Sequence, residues 1–189
     1  MKQFTLLLTI LLLVSGCSEQ NSDASDAEFS ANPPLIVAAE AGDLPTIRKL
    51  IEDQSPVDVL DACMWTPLMK ASLNGHLEAT QRLLDAGANV NQVDKGGYSA
   101  MMLAVSNNHH RIAELLLSHG ADVNQIETTG GWSALIWAAK LGHTDSVAVL
   151  LAHNANTTLK DFDHMSALDW ATKNQHNEIL ALFETQDSQ

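Results

Sequence analysis

The stretch Thr66–Gly87, TPLMKASLNGHLEATQRLLDAG, decides how the chain is read. It opens on Thr66-Pro67-Leu68, pivots at Gly75-His76, passes through the paired Leu83 and Leu84, and stops at Gly87. A Thr at this point can cap the orphan N–H groups of a helix start, and Pro suits the first helical turn, where a missing N–H costs nothing. Gly87 supplies the left-handed residue that closes a second helix. The spacing predicts one helix near Pro67–Asn74 and another near Leu77–Ala86. Helices this short cannot bury their apolar faces on each other alone, so the pair needs neighbours of its own shape.

The chain supplies them. Thr66-Pro67-Leu68 returns 33 residues on as Ser99-Ala100-Met101, then 34 on as Ser133-Ala134-Leu135, then 33 on as Ser166-Ala167-Leu168. A step of 33 backwards gives Pro33-Pro34-Leu35. The paired aliphatics keep step at Leu50-Ile51, Leu116-Leu117 and Leu150-Leu151, as does a small-residue column of Ala38, Ala71, Ala104, Ala138 and Ala171. The closing position reads Gly87, Gly120 and Asn154, with only Gln54 departing. A sustained step of this size is the mark of a solenoid.

TPLMKASLNGHLEATQRLLDAGANVN resembles an ankyrin repeat, and SAMMLAVSNNHHRIAELLLSHGADVN and SALIWAAKLGHTDSVAVLLAHNAN resemble two further copies. PPLIVAAEAGDLPTIRKLIEDQSPVD and SALDWATKNQHNEILALFETQ are similar to degenerate end copies. The resemblance implies an all-α ankyrin-repeat solenoid of about five helix-turn-helix repeats with β-finger loops, over residues 33–65, 66–98, 99–132, 133–165 and 166–186. One departure is consistent. The family's His after the T-P-L leucine is replaced by Ile36, Met69, Met102, Ile136 and Asp169, which removes a hydrogen-bond link between repeats.

Residues 1–16 read as a signal peptide: Lys2 is followed by the apolar run Phe4–Val14, too short to span a bilayer. Val14-Ser15-Gly16-Cys17 resembles a bacterial lipobox, which implies acylation of Cys17 and cleavage before it. Three acyl chains would make attachment effectively permanent, since two suffice. Ser18, where Asp would favour the inner membrane, points to the outer membrane of a Gram-negative envelope, facing the periplasm. Residues 18–32, polar and acidic, read as a tether reaching roughly 50 Å at full stretch, with residues 33–189 as the repeat domain.

The net charge is −13, and about −10 for residues 33–189 alone. Such a charge argues against nucleic acid and anionic lipid, and favours a basic or neutral protein surface as partner. Of the two cysteines, acylation of Cys17 excludes an internal disulfide. Cys63, in the turn Asp61-Ala62-Cys63-Met64, reads either as a redox sensor or as an inert half-buried side chain; no adjacent His, Lys or Arg lowers its pKa, which favours the second.

Before each helix start stands a bulky residue: Trp65, Tyr98, Trp132 and Met165. In the ankyrin family this finger position is variable and faces a groove, bordered here by Leu73, Ser106, Lys140 and Lys173. The column either meets a partner or folds down onto the neighbouring finger. The third finger carries one extra residue, Thr128-Thr129-Gly130-Gly131-Trp132, and insertions in arrays map to exposed loops. Trp137 and Trp170 replace the family's Leu and are expected in the core. Asp161 and Asp163 read as turn residues and solvating charge.

The histidines follow the structural period rather than ligand spacing. His76, His109, His143 and His176 occupy the family's Gly-His turn, where the imidazole ties the two helices together, and His119 and His153 repeat at helix ends. A metal needs donors near 2 Å from one centre, so no metal site, cofactor or catalytic residue is expected. The functional expectation is a monomeric, membrane-anchored periplasmic protein that binds an envelope protein through its concave face and fingers, as accessory, stabiliser or inhibitor. The rival readings are a haem- or metal-binding oxidative-stress protein, and an envelope spacer without a specific client.

Overall fold

The computed structural model describes residues 32–186. The signal peptide, Cys17 and nearly all of the tether lie outside the described residues. One compact unit begins at Pro33. Among the described residues there are ten α-helices: α1 Pro34–Ala41, α2 Leu44–Glu52, α3 Pro67–Leu73, α4 Leu77–Asp85, α5 Ala100–Ser106, α6 His110–Ser118, α7 Ala134–Leu141, α8 Thr144–Ala152, α9 Ala167–Asn174 and α10 Asn177–Gln186. They form five pairs. Odd-numbered helices pack on the next odd-numbered helix and even on even, so every substantial contact lies within a pair or between neighbours. This is the all-α solenoid the period implied.

Local chemistry explains each element. Thr66 Oγ1 accepts the Met69 N–H at 3.1 Å, and Ser99, Ser133 and Ser166 cap their helices on Met102, Ile136 and Asp169. At the last start the residue in place of the family's His turns back on the cap: Asp169 Oδ2 takes both the N–H and the hydroxyl of Ser166. The small-residue column is buried throughout, and Leu83, Leu116 and Leu150 are fully enclosed. The ends break the pattern where no neighbour covers them. Leu168 is 45% exposed, whereas its counterparts Leu35, Leu68, Met101 and Leu135 are buried, and Glu184 stands exposed beside the buried Phe183.

The left-handed position that closes the even helices is kept by the backbone even where the residue type changes. Gly87 and Gly120 have φ near +88° and +87°, and Asn154 and Gln54 follow at +60° and +57°. A Cβ on Gly87 would meet nothing within 4 Å, so substitution there tests backbone strain without steric clash. Gly87→Ala is expected to cost about 1 kcal/mol, and Gln54→Gly to stabilise by a few tenths to about 1 kcal/mol, in urea unfolding. Equal and opposite signs at two equivalent positions are the outcome that matters.

Candidate binding groove

The turn inside each pair after the first places a histidine against the preceding repeat. His76 Nε2 meets Glu40 O at 3.0 Å, His109 Nε2 meets Leu73 O at 3.1 Å and His176 Nε2 meets Lys140 O at 3.3 Å. These carbonyls belong to the last turn of α1, α3 and α7, which leaves them without intrahelical partners. The imidazoles therefore tie repeat to repeat, not the two helices of one repeat as expected. Gly42, Gly75 and Gly142 make room for them: a Cβ on Gly75 would stand 2.6 Å from His109 Cε1. Where Asn108 replaces glycine, His143 uses Nδ1 instead, on Val105 O at 2.9 Å, and Asn108 Oδ1 accepts from Ser146 Oγ at 2.9 Å.

Burial pushes His109 and His143 below the usual histidine range, against the opposing pull of their carbonyl acceptors, with His76, His110 and His176 adding smaller repulsions. A folded pKa below the unfolded one means that the unfolded chain takes protons first as pH falls. Stability is then complete above the unfolded pKa near 6.5 and declines as pH drops from there towards the folded values. The urea midpoint is expected to fall between pH 7.5 and about 5.5, and less steeply in His143→Gln, as equilibrium unfolding at several pH values would show.

The fingers are built on an acidic column. Asp61 Oδ1 accepts the N–H groups of Cys63 and Trp65 at 2.8 and 2.9 Å, and Asp94 Oδ1 those of Gly96 and Tyr98 at 2.8 and 2.9 Å. Asp161 Oδ1 does the same for Asp163 and Met165 at 3.0 and 2.9 Å. In the third finger, one residue longer, the acid is one methylene longer: Glu127 accepts from the N–H of Thr129 at 2.5 Å, Gly130 at 2.7 Å and Trp132 at 2.8 Å, and from the Thr129 hydroxyl. Neighbouring fingers are joined by Thr128 N to Gly96 O at 2.8 Å and Phe162 N to Gly130 O at 2.9 Å.

The finger column does not stand in solvent as a row. Trp65 is buried, and Tyr98, Trp132 and Met165 are half-buried. Tyr98 OH pairs with Thr129 Oγ1 on the next finger at 2.7 Å, and burial raises its pKa to about 12. Trp132 Nε1 donates to Asp161 Oδ2 on the next finger at 3.2 Å. Trp137 is buried as expected, with its ring centroid 5.3 Å from Tyr98 and 5.5 Å from Trp132. Trp170, also buried, donates Nε1 to Asp161 Oδ2 at 2.7 Å. Asp161 is thus no solvating charge: it is 3% exposed and accepts four N–H groups. Burial pushes its carboxyl up, and the hydrogen bonds outweigh this and hold it below the usual range; the same balance holds Glu127 down.

Lysines pack against the same rings. Lys140 Nζ lies 4.0 Å from the ring centroids of both Trp132 and Trp170, Lys173 Nζ 4.5 Å from Trp170, and Lys70 Nζ 4.9 Å from Trp65. Lys70 is also paired with Glu40 at 3.2 Å. Sequence columns placed Tyr98, Trp132, Lys140 and Lys173 on one side and missed Lys70, Asp161 and Glu127, whose roles depend on neighbours one repeat away.

Cys63 is half-buried in the first finger, with its N–H on Asp61 Oδ1. Among the described residues no three His, Cys, Asp or Glu side chains gather as a metal would require.

The comparison with curated proteins returned no match. A family model described as ankyrin repeats (3 copies) matches residues 35–127 and again 124–187. Those two matches run through all five helix pairs and every finger, so the chain belongs to the ankyrin-repeat family, whose members generally mediate protein–protein interaction and are typically non-enzymatic scaffolds.

Proposed function

We propose that this protein is a lipid-anchored, periplasm-facing binding protein of a Gram-negative envelope, holding a partner protein through its concave face and fingers. Its action there is that of an accessory, stabiliser or inhibitor, without catalysis of its own. The observation that carries the binding half is the set Tyr98, Trp132 and Lys140, each half-buried and each fixed by contacts to the next repeat. Side chains already held in place lose little entropy on docking. Val14-Ser15-Gly16-Cys17 after the apolar run supports the anchor.

The two halves are tested separately. Crosslinking in intact cells, followed by the same experiment with Tyr98→Ala/Trp132→Ala, should lose a partner seen with the unaltered chain, while circular dichroism shows the repeats still folded. Unchanged crosslinks would move the contact off this face. Mass spectrometry of the mature protein reads the anchor directly. Acyl mass on residue 17 supports anchoring; a mature chain with no lipid on residue 17 overturns it.

A further inference from the structure

The four joints between successive repeats are not alike. At the second, Leu73 O accepts from His109 Nε2 and from the Asn107 side-chain amide, the latter at 2.9 Å. At the fourth, Lys140 O accepts from His176 Nε2 and from the Asn174 amide, the latter at 2.8 Å. At the first, Glu40 O accepts from His76 while the Glu40 carboxylate pairs with Lys70. The equivalent carbonyl at the third joint is Ser106 O, and neither tie reaches it. His143 turns to Val105 O instead, and the place of Asn107 and Asn174 is held by Leu141, whose side chain has no donor.

Asn108 is the cause. The imidazoles of His76, His109 and His176 fill the space that a Cβ on Gly42, Gly75 and Gly142 would need, with closest approaches of 2.6 to 2.7 Å. Asn108 carries that Cβ, so the seat is closed to His143. Its amide oxygen takes a hydrogen bond from Ser146 of α8, which fastens the joint on the side of the even-numbered helices. Packing follows the same division. Of the odd-numbered neighbours α5 and α7 are the most loosely packed, and of the even-numbered ones α6 and α8 the most closely packed. On the looser side the joint is bridged by rings, Tyr98 against Trp137 of α7, and the finger that crosses it has the extra residue.

We propose that the joint between the third and fourth repeats is a hinge, with α1–α6 and α7–α10 moving as two blocks about the Asn108–Ser146 contact. The stability of such an array is a sum of repeat and nearest-neighbour terms, so it divides where neighbours hold each other least. Ring contacts tolerate sliding that a hydrogen bond onto Ser106 O would not, and the longer finger supplies slack. Tyr98 belongs to one block and Lys140 to the other, so movement at this joint changes their separation and adjusts the groove between them.

The test is hydrogen exchange in rising urea, read by mass spectrometry on the protein purified from cells, with Asn108→Gly beside it. The amides of α7–α10 should open together at lower urea than those of α1–α6, with the step at the third finger. Asn108 already has φ +57°, a conformation glycine favours, so Asn108→Gly keeps the fold and reopens the seat. His143 should then donate to Ser106 O through Nε2, and nitrogen spectra of the imidazole should show the proton move there from Nδ1. Exchange in α7–α10 should slow about tenfold in this variant as the two steps merge into one. A single opening of all five repeats in the unaltered chain, or exchange that rises repeat by repeat with no step at the third finger, would overturn the hinge. So would a step that persists in Asn108→Gly after the His143 proton has moved.

Discussion

Replacing Asp161 with Ala is expected to lower the stability of the repeat domain by about 3 kcal/mol and its melting temperature by roughly 6–12 °C. The substitution removes an acceptor that is 3% exposed and leaves four donors without it: the indoles of Trp132 and Trp170 and the backbone N–H groups of Asp163 and Met165. Each buried orphan costs about 1–3 kcal/mol, and water can reach only those on the exposed side. Trp170 Nε1, in a buried pair, has no such recourse. Asp61→Ala is the internal comparison. Asp61 occupies the same column but accepts only two backbone N–H groups, so its loss should cost about 1 kcal/mol. Should the two variants unfold at the same denaturant concentration, the indole contacts contribute nothing and the reading of Asp161 as the support of the tryptophan–lysine stack fails.

The same carboxylates give the domain an acid limit. Asp161 and Glu127 have folded pKa values below their unfolded ones, so their contribution is complete above the unfolded values of about 3.8 and 4.5. It is lost as pH falls through the folded values. Acid unfolding of Asp161→Ala should therefore be less steep than that of the unaltered domain, although it starts from lower stability.

Helices and turns were legible because one position repeats one physical demand. Thr66, Ser99, Ser133 and Ser166 all cap, and Gly87, Gly120 and Asn154 all close. Even Gln54, which breaks the column by type, keeps its φ at +57° because the paired helices dictate the turn. The groove was legible only by position. Trp65, Tyr98 and Trp132 fall in one column, yet the first is buried and the others lean on the following finger, since each side chain's surroundings come from residues about 30 positions away. Asp161 shows the limit most clearly. Seen along the chain it is a turn residue, and only the arrival of Trp132 from the previous repeat and Trp170 from the next helix makes it a buried acceptor.

Glu127→Ala should be at least as damaging, about 3–4 kcal/mol, because the carboxylate is 1% exposed and accepts from three backbone N–H groups and the Thr129 hydroxyl. The more searching experiment exploits length. Asp94-Lys95-Gly96-Gly97-Tyr98 spans its finger with Asp, whereas Glu127-Thr128-Thr129-Gly130-Gly131-Trp132 has one more residue and one more methylene. Glu127→Asp alone pulls the carboxylate back by about 1.5 Å, enough to break hydrogen bonds, and should cost about 2 kcal/mol. Deleting one of the paired threonines alone crowds Glu into a shorter finger and should cost a similar amount, including the Thr129 link to Tyr98. Combined, the two changes recreate Asp-Thr-Gly-Gly-Trp on the pattern of the second finger, and most of the loss should return. The expected signature in urea unfolding is a favourable coupling of about 2 kcal/mol between the two changes. Simple additivity would mean that loop length and acid length vary independently, and that Glu127 merely happens to lie beside the extra residue.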